Sequence, residues 1–171
     1  GWDVLIDTGG RILFRLIHAL PHDQLKIRTL DKIRFQDWQH VMVTYDGSGR
    51  AAGMRVFLNG KRCEVSIEYD QLARSILPVD GEFKQVPRPL RMGRWNETFS
   101  GEIAFMRGCF DDLRLYSRTL STLEIASLAG AEKQVHDPET LAEDYLLNRD
   151  EKHHQLLSRI RELVSEETRI N

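Results

Sequence analysis

The chain has 171 residues, 41% hydrophobic and 29% charged, the balance of an ordinary globular domain rather than of a disordered one. Its 24 basic and 26 acidic side chains leave a net charge of −2, which gives no electrostatic footprint for nucleic acid, and its apolar runs are too short to cross a bilayer. The length fits one domain with an appendage and not two full domains.

From residue 1 to about 116, short runs rich in Val, Ile, Leu, Phe and Tyr alternate with turn signals, the pattern of an antiparallel all-β domain. "WDVLID", "RILFRLIHA", "LKIRTL", "HVMVTYD", "GMRVFL", "RCEVSI", "LRMG", "EIAFM" and "CFDDLRLY" read as strands in that order. Gly9-Gly10 and Asn59-Gly60 supply the positive φ angles of tight hairpins, and Asp46-Gly47 opens a similar bend. In "HVMVTYD", Val41, Val43 and Tyr45 share one face and Met42 and Thr44 the other; apolar groups on both faces suit a sandwich or jelly roll. "EYDQLARSILPVDGEFKQVPRP" has weak periodicity and three prolines, and reads as a long loop.

The local chemistry then turns helical. Ser121 and Glu124 make an S-x-x-E capping box, Leu120 and Ile125 stand where a hydrophobic staple closes, and Gly130 stands where the helix stops; the pattern predicts a helix over 122–129. Asp137-Pro138 starts a second helix running toward Leu147. Leu156, Leu157, Ile160, Leu163 and Val164 then fall on one face of a third. Residues 131–171 carry ten acidic and six basic side chains, a shift that sets the domain edge near 131: residues 1–130 form the β domain and 131–171 a helical connector.

Three stretches carry a resemblance. "WQHVMVTYDGSGRAAGMRVFLNGK" (38–61), "LRMGRW" (90–95) and "GCFDDLRLYSRTLSTLEIASLAG" (108–130) together resemble the concanavalin A-like, laminin G-like domains. That resemblance implies a jelly-roll β-sandwich. "GWDVLIDTGGRILFRLIHALPHDQLKIRT", the "YDGSGRAAGM" turn and the tail "YLLNRDEKHHQLLSRIRELVSEETRI" resemble the laminin G-like module of large planctomycete-type bacterial proteins, which also hold a cytochrome c-like domain and domains of unknown function. It implies an exported binding or interaction module with a glycan as ligand and neighbouring domains of the same polypeptide as partners. The chain opens on Gly1-Trp2-Asp3 without a leader and without the strands that precede "GWDVL" in that family, and so reads as an excised piece. It carries no C-x-x-C-H, which places the haem chemistry of such relatives elsewhere.

The candidate sites weigh as follows. Alternation in "CFDDLRLY" puts Asp111 with Leu113 and Leu115 toward a core, as a carboxylate tied to loop amides, and Asp112 with Arg114 on the surface. Calcium is the one cofactor the residues admit, with Asp111 as a ligand; it requires six to eight oxygens, and Asp46 supplies a second carboxylate only if folding brings it near. Trp38, at the entry of a strand, reads as core packing. Trp95, with Arg94 beside it, reads as the aromatic surface on which a sugar ring would stack. Lys84, Arg88, Arg91 and Arg94 form a basic run that reads as a solvated face rather than a nucleic-acid or polyanion groove. The histidines follow no metal spacing, and Asn96-Glu97-Thr98 fits the glycosylation acceptor. Cys63 and Cys109 leave open one bridge or two free thiols. Glycoside hydrolysis on this fold needs two or three acids at alternating spacing on one strand, whereas Glu102 stands alone before "IAFM". The sequence therefore points to a non-catalytic binding module, with a purely structural packing domain next and a hydrolase or lyase last.

Overall fold

The computed structural model describes residues 1–77, 90–94, 105–131 and 137–170. The chain divides into two compact units, Gly1–Leu77 with Tyr116–Asn171, and Pro78–Leu115.

In the first unit, β1 (Trp2–Ile6), β2 (Arg11–Ala19), β3 (Asp23–Lys32), β4 (Val41–Tyr45), β5 (Met54–Leu58), β6 (Lys61–Arg62) and β7 (Val65–Gln71) form two antiparallel sheets, ordered β1-β2-β3-β7 and β4-β5-β6. Period-two alternation explains how they pack. Phe14 stands opposite both Val4 and Ile27, and Val43 opposite Val56, so each sheet presents an apolar row. These rows meet in one cluster: Ile12, Phe14 and Leu16 from β2, Leu25 and Ile27 from β3, Met54 and Val56 from β5, with Cys63. Where β2 slips register between Arg11 and Leu13, the buried Thr29 hydroxyl accepts the Ile12 amide at 2.9 Å and donates to the Asp31 carbonyl at 2.7 Å. The hydroxyl thus satisfies an amide that the bulge takes out of the ladder.

The second sheet is covered on its other face too. Phe57 of β5 and Met42 of β4 pack against Leu120 and Ile125, the latter on α1 (Thr122–Leu128). Ser121 Oγ accepts the Glu124 amide at 3.2 Å and the Glu124 carboxylate accepts the Ser121 amide at 2.9 Å, closing both halves of the capping box. Asn59 and Gly60, both at positive φ, turn β5 into β6; a side-chain carbon on Gly60 would lie 3.0 Å from the Ala131 Cβ and 3.1 Å from the Ala126 Cα. At φ 78°, a conformation that L side chains rarely adopt, glycine suits this close approach of the hairpin and the helix end.

Helix α2 (Pro138–Asn148) starts on Asp137, whose Oδ1 accepts the Thr140 amide at 2.9 Å, and α3 spans Glu151–Ile170. Polar contacts fasten α2 to the layers beneath it. The Glu143 carboxylate accepts from Arg55 of β5 and from the Thr122 hydroxyl, the latter at 2.5 Å, while Asp144 accepts from Ser121 Oγ at 2.5 Å. Burial opposes ionisation of Glu143, but Thr122 and Arg55 outweigh it and hold the carboxyl below its ordinary range.

Four strand expectations change. "RCEVSI" is not one strand: β6 ends at Arg62, Cys63 and Glu64 cross over, and β7 begins at Val65 in the other sheet. β7 continues to Gln71, so the segment read as a loop begins as a strand. "LRMG" and the described part of "EIAFM" contribute a single bridge, Arg94 to Phe105. "CFDDLRLY" is not a strand, because Asp112 sits at φ 54°, outside the pleated region, and residues 109–116 are exposed. Trp38 also differs: β4 starts only at Val41, which leaves Trp38 in the preceding loop, 71% exposed instead of in the core.

Candidate functional site

Within the Pro78–Leu115 unit, the bridge between Arg94 and Phe105 is reinforced by the Met106 amide donating to the Gly93 carbonyl at 2.8 Å. Gly93 adopts φ 68°, and a Cβ there would lie 3.2 Å from the Phe110 ring. This local pairing sets the Arg94 guanidinium over the Phe105 ring, 5.6 Å from its centroid. Phe105 is 66% exposed and Phe110 50%, so two aromatic rings and a cation share one small, solvent-facing element. Such a surface offers a ring face for CH groups.

Trp95, placed beside Arg94 by the sequence, lies outside the described residues, as do Lys84, Arg88, Glu102 and the Asn96–Thr98 acceptor. Asp111 is exposed rather than turned into a core. Its neighbour Asp112 is engaged by Arg114 through both oxygens, Nε to Oδ1 at 2.9 Å and Nη2 to Oδ2 at 2.8 Å. The two acids therefore do not combine as a pair, and among the described residues no three His, Cys, Asp or Glu side chains group as metal ligands.

The other unit carries an array that the strand reading passed over. On the face of the first sheet turned away from the core, Asp3 takes both nitrogens of Arg15 at 2.8 and 2.6 Å, Lys26 reaches Glu68 at 2.6 Å, and Arg28 bridges Glu68 at 2.5 Å and Asp7 at 2.9 Å. Burial works against the charge on Glu68, but Lys26 and Arg28 prevail and its pKa is lowered. The charges cancel in pairs across four strands, which fixes register more than it offers a vacant charge. The alternation in "RILFRLIHA" sets Arg11 and Arg15 opposite Ile12 and Phe14, a signal for this face, but pairing to Glu68 depends on the sheet that β7 joins, which sequence spacing does not carry.

A second polar centre lies on α1. Arg118 grips Glu124 through two nitrogens at 2.9 and 2.5 Å, which drives the Glu124 carboxyl down to about 2. Cys63 and Cys109 are both free thiols, and burial, with Asp31 next, pushes Cys63 up to about 11.

Two antiparallel sheets sharing a core, with a helix capping the smaller one, define the class of β domain that serves widely as a binding module. The profile of the concanavalin A-like lectin/glucanases superfamily, in its laminin G-like form, matches residues 1–126, and the chain belongs to that superfamily. A crystal structure of an S-layer domain-containing protein from Clostridium thermocellum is similar at 21% identity and a TM-score of 0.38. The likeness covers 75% of this chain and 63% of that one. A search of curated proteins returned no match.

Proposed function

We propose that this chain is a non-catalytic binding module, a jelly-roll carbohydrate-recognition domain of a larger, exported, multidomain bacterial protein. The observation that carries the reading is superfamily membership over residues 1–126, joined to the exposed Arg94–Phe105 platform. Arg94 and Trp95 are the proposed ligand contacts. Asp111 is the residue proposed to respond to calcium. A broad glycan array, run with calcium and with a chelator, tests this: binding that falls on Arg94→Ala or Trp95→Ala supports it, and no binding under either condition overturns it. Release of reducing ends from polysaccharides by the purified chain would instead favour a hydrolase or lyase. The planctomycete-type setting is proposed from the sequence resemblance, and a C-x-x-C-H region in the same reading frame upstream would support it.

A structural packing role is the second reading. Phe35 and Trp38, 65% and 71% exposed three residues apart, favour it, since two large rings on one loop suit contact with a neighbouring domain. That reading expects Trp38→Ser to improve the solubility of the isolated chain without changing any glycan signal.

A further inference from the structure

On α3, Leu156, Ile160 and Leu163 follow one another at steps of four and three, and they are 56%, 44% and 48% exposed. The adjoining line is occupied differently. Leu157 and Val164 are half-buried, the Val164 Cγ1 lies 3.5 Å from where a side chain on Gly49 would begin, and Arg161 Nε donates to the Asp46 carbonyl at 3.3 Å. One face of α3 is thus fixed on the turn between β4 and β5 while the apolar line beside it stays bare. Steps of four and three are the seam spacing of a two-helix coiled coil.

The charges beside the seam say what covers it. Lys152 lies four residues before Leu156, and Glu166 three after Leu163, on the same flank. In an antiparallel pair of α3 helices, Ile160 meets its counterpart on the twofold axis and Leu156 meets Leu163. Lys152 then faces Glu166 of the other copy, and symmetry makes that contact twice. In a parallel pair this flank would instead face Leu157 and Val164 of the other copy, which offer Lys152 and Glu166 no counter-charge. Arg159 falls near the axis from both copies, where its own helix supplies Glu162 at 3.0 Å as counter-charge.

We propose that the Leu156–Ile160–Leu163 face of α3 is the contact between two copies of this chain, packed antiparallel about Ile160. Three half-exposed side chains from each copy make a small seam, so the dimer is weak and reversible.

Sedimentation equilibrium of the full chain, from low micromolar to high micromolar concentration, tests the assignment. A monomer–dimer equilibrium in that range is expected, and Ile160→Asp should abolish it while leaving far-ultraviolet circular dichroism and the melting transition in place. Lys152→Glu, at an exposed position, should weaken the dimer about three- to tenfold, and adding Glu166→Lys should restore it. A chain that stays monomeric throughout overturns the proposal and leaves the seam to a different protein. So does a dimer indifferent to Ile160→Asp, or one indifferent to Lys152→Glu, the response of a parallel pair.

Discussion

Glu143 and Arg55 meet across 88 residues of sequence, the carboxylate on α2 accepting from the guanidinium that β5 turns outward. The pair is half-buried, with the two side chains 21% and 30% exposed, and Thr122 donates to the same carboxylate through its amide and its hydroxyl. Breaking such a pair costs more than forming it gained, because the remaining charge stays where water cannot fully reach it. Arg55→Ala should therefore destabilise the fold by about 1–3 kcal/mol. Glu143→Gln, which keeps an acceptor for Thr122, should cost less. Urea unfolding of both single variants and the double variant measures the coupling, and strictly additive effects would show that the contact contributes nothing.

Acid should loosen α1 first. The carboxyl of Glu124 stands at about 2 in the folded chain against an ordinary 4.5, chiefly because Arg118 holds it, and that of Glu143 is lowered as well. A depressed carboxyl contributes stability that is present above its unfolded value and disappears as pH falls through the folded value. Stability is thus expected to hold above pH 4.5 and to decline toward pH 2, with Arg118→Ala flattening the decline. Melting temperature measured across that window checks the sign, and a chain that gains stability on acidification would contradict it.

The contact of Phe57 with Leu120 and Ile125 is the apolar counterpart of the Glu143–Arg55 pair. Phe57 is 1% exposed and Ile125 is fully buried. Phe57→Ala should cost about 3–5 kcal/mol and Ile125→Val about 0.5–1.5 kcal/mol. Denaturant titration gives both values, and a loss below about 1 kcal/mol for Phe57→Ala would mean that the helix does not seat on this ring.

The two thiols should separate by reactivity. Cys109 is exposed, while Cys63 is buried with its pKa at about 11, so few thiolates form there at neutral pH. An aromatic disulfide reagent should titrate one thiol of the native chain rapidly and the second only after unfolding. Two fast equivalents would place Cys63 at the surface.

Legibility in the sequence followed the range of the interactions. The hairpin at Asn59-Gly60 and the box of Ser121 and Glu124 are short-range chemistry, and helix α1 begins at Thr122, directly after its capping serine. Alternation served where a strand has neighbours on both sides, as in β2 and β3. It misled in "CFDDLRLY", because an apolar rhythm does not reveal that Asp112 lies at φ 54°. It also merged β6 with β7, since the change of sheet at Cys63 and Glu64 is a matter of topology that no local pattern carries. The platform was half legible: Arg94 was singled out, but Phe105 joins it only through a bridge eleven residues away.

Gly60 also bears on the order of assembly. Seven residues of α1 are too few to hold a helix in isolation, and the helix end presses on the hairpin at a spot where a Cβ would stand only 3.0–3.1 Å from it. The β5–β6 turn is therefore expected to close before α1 takes its seat, with the helix fastened after the folding barrier has been crossed. Substitutions along α1 should accordingly quicken unfolding and leave the refolding rate almost untouched, whereas those at Asn59 and Gly60 should slow refolding itself.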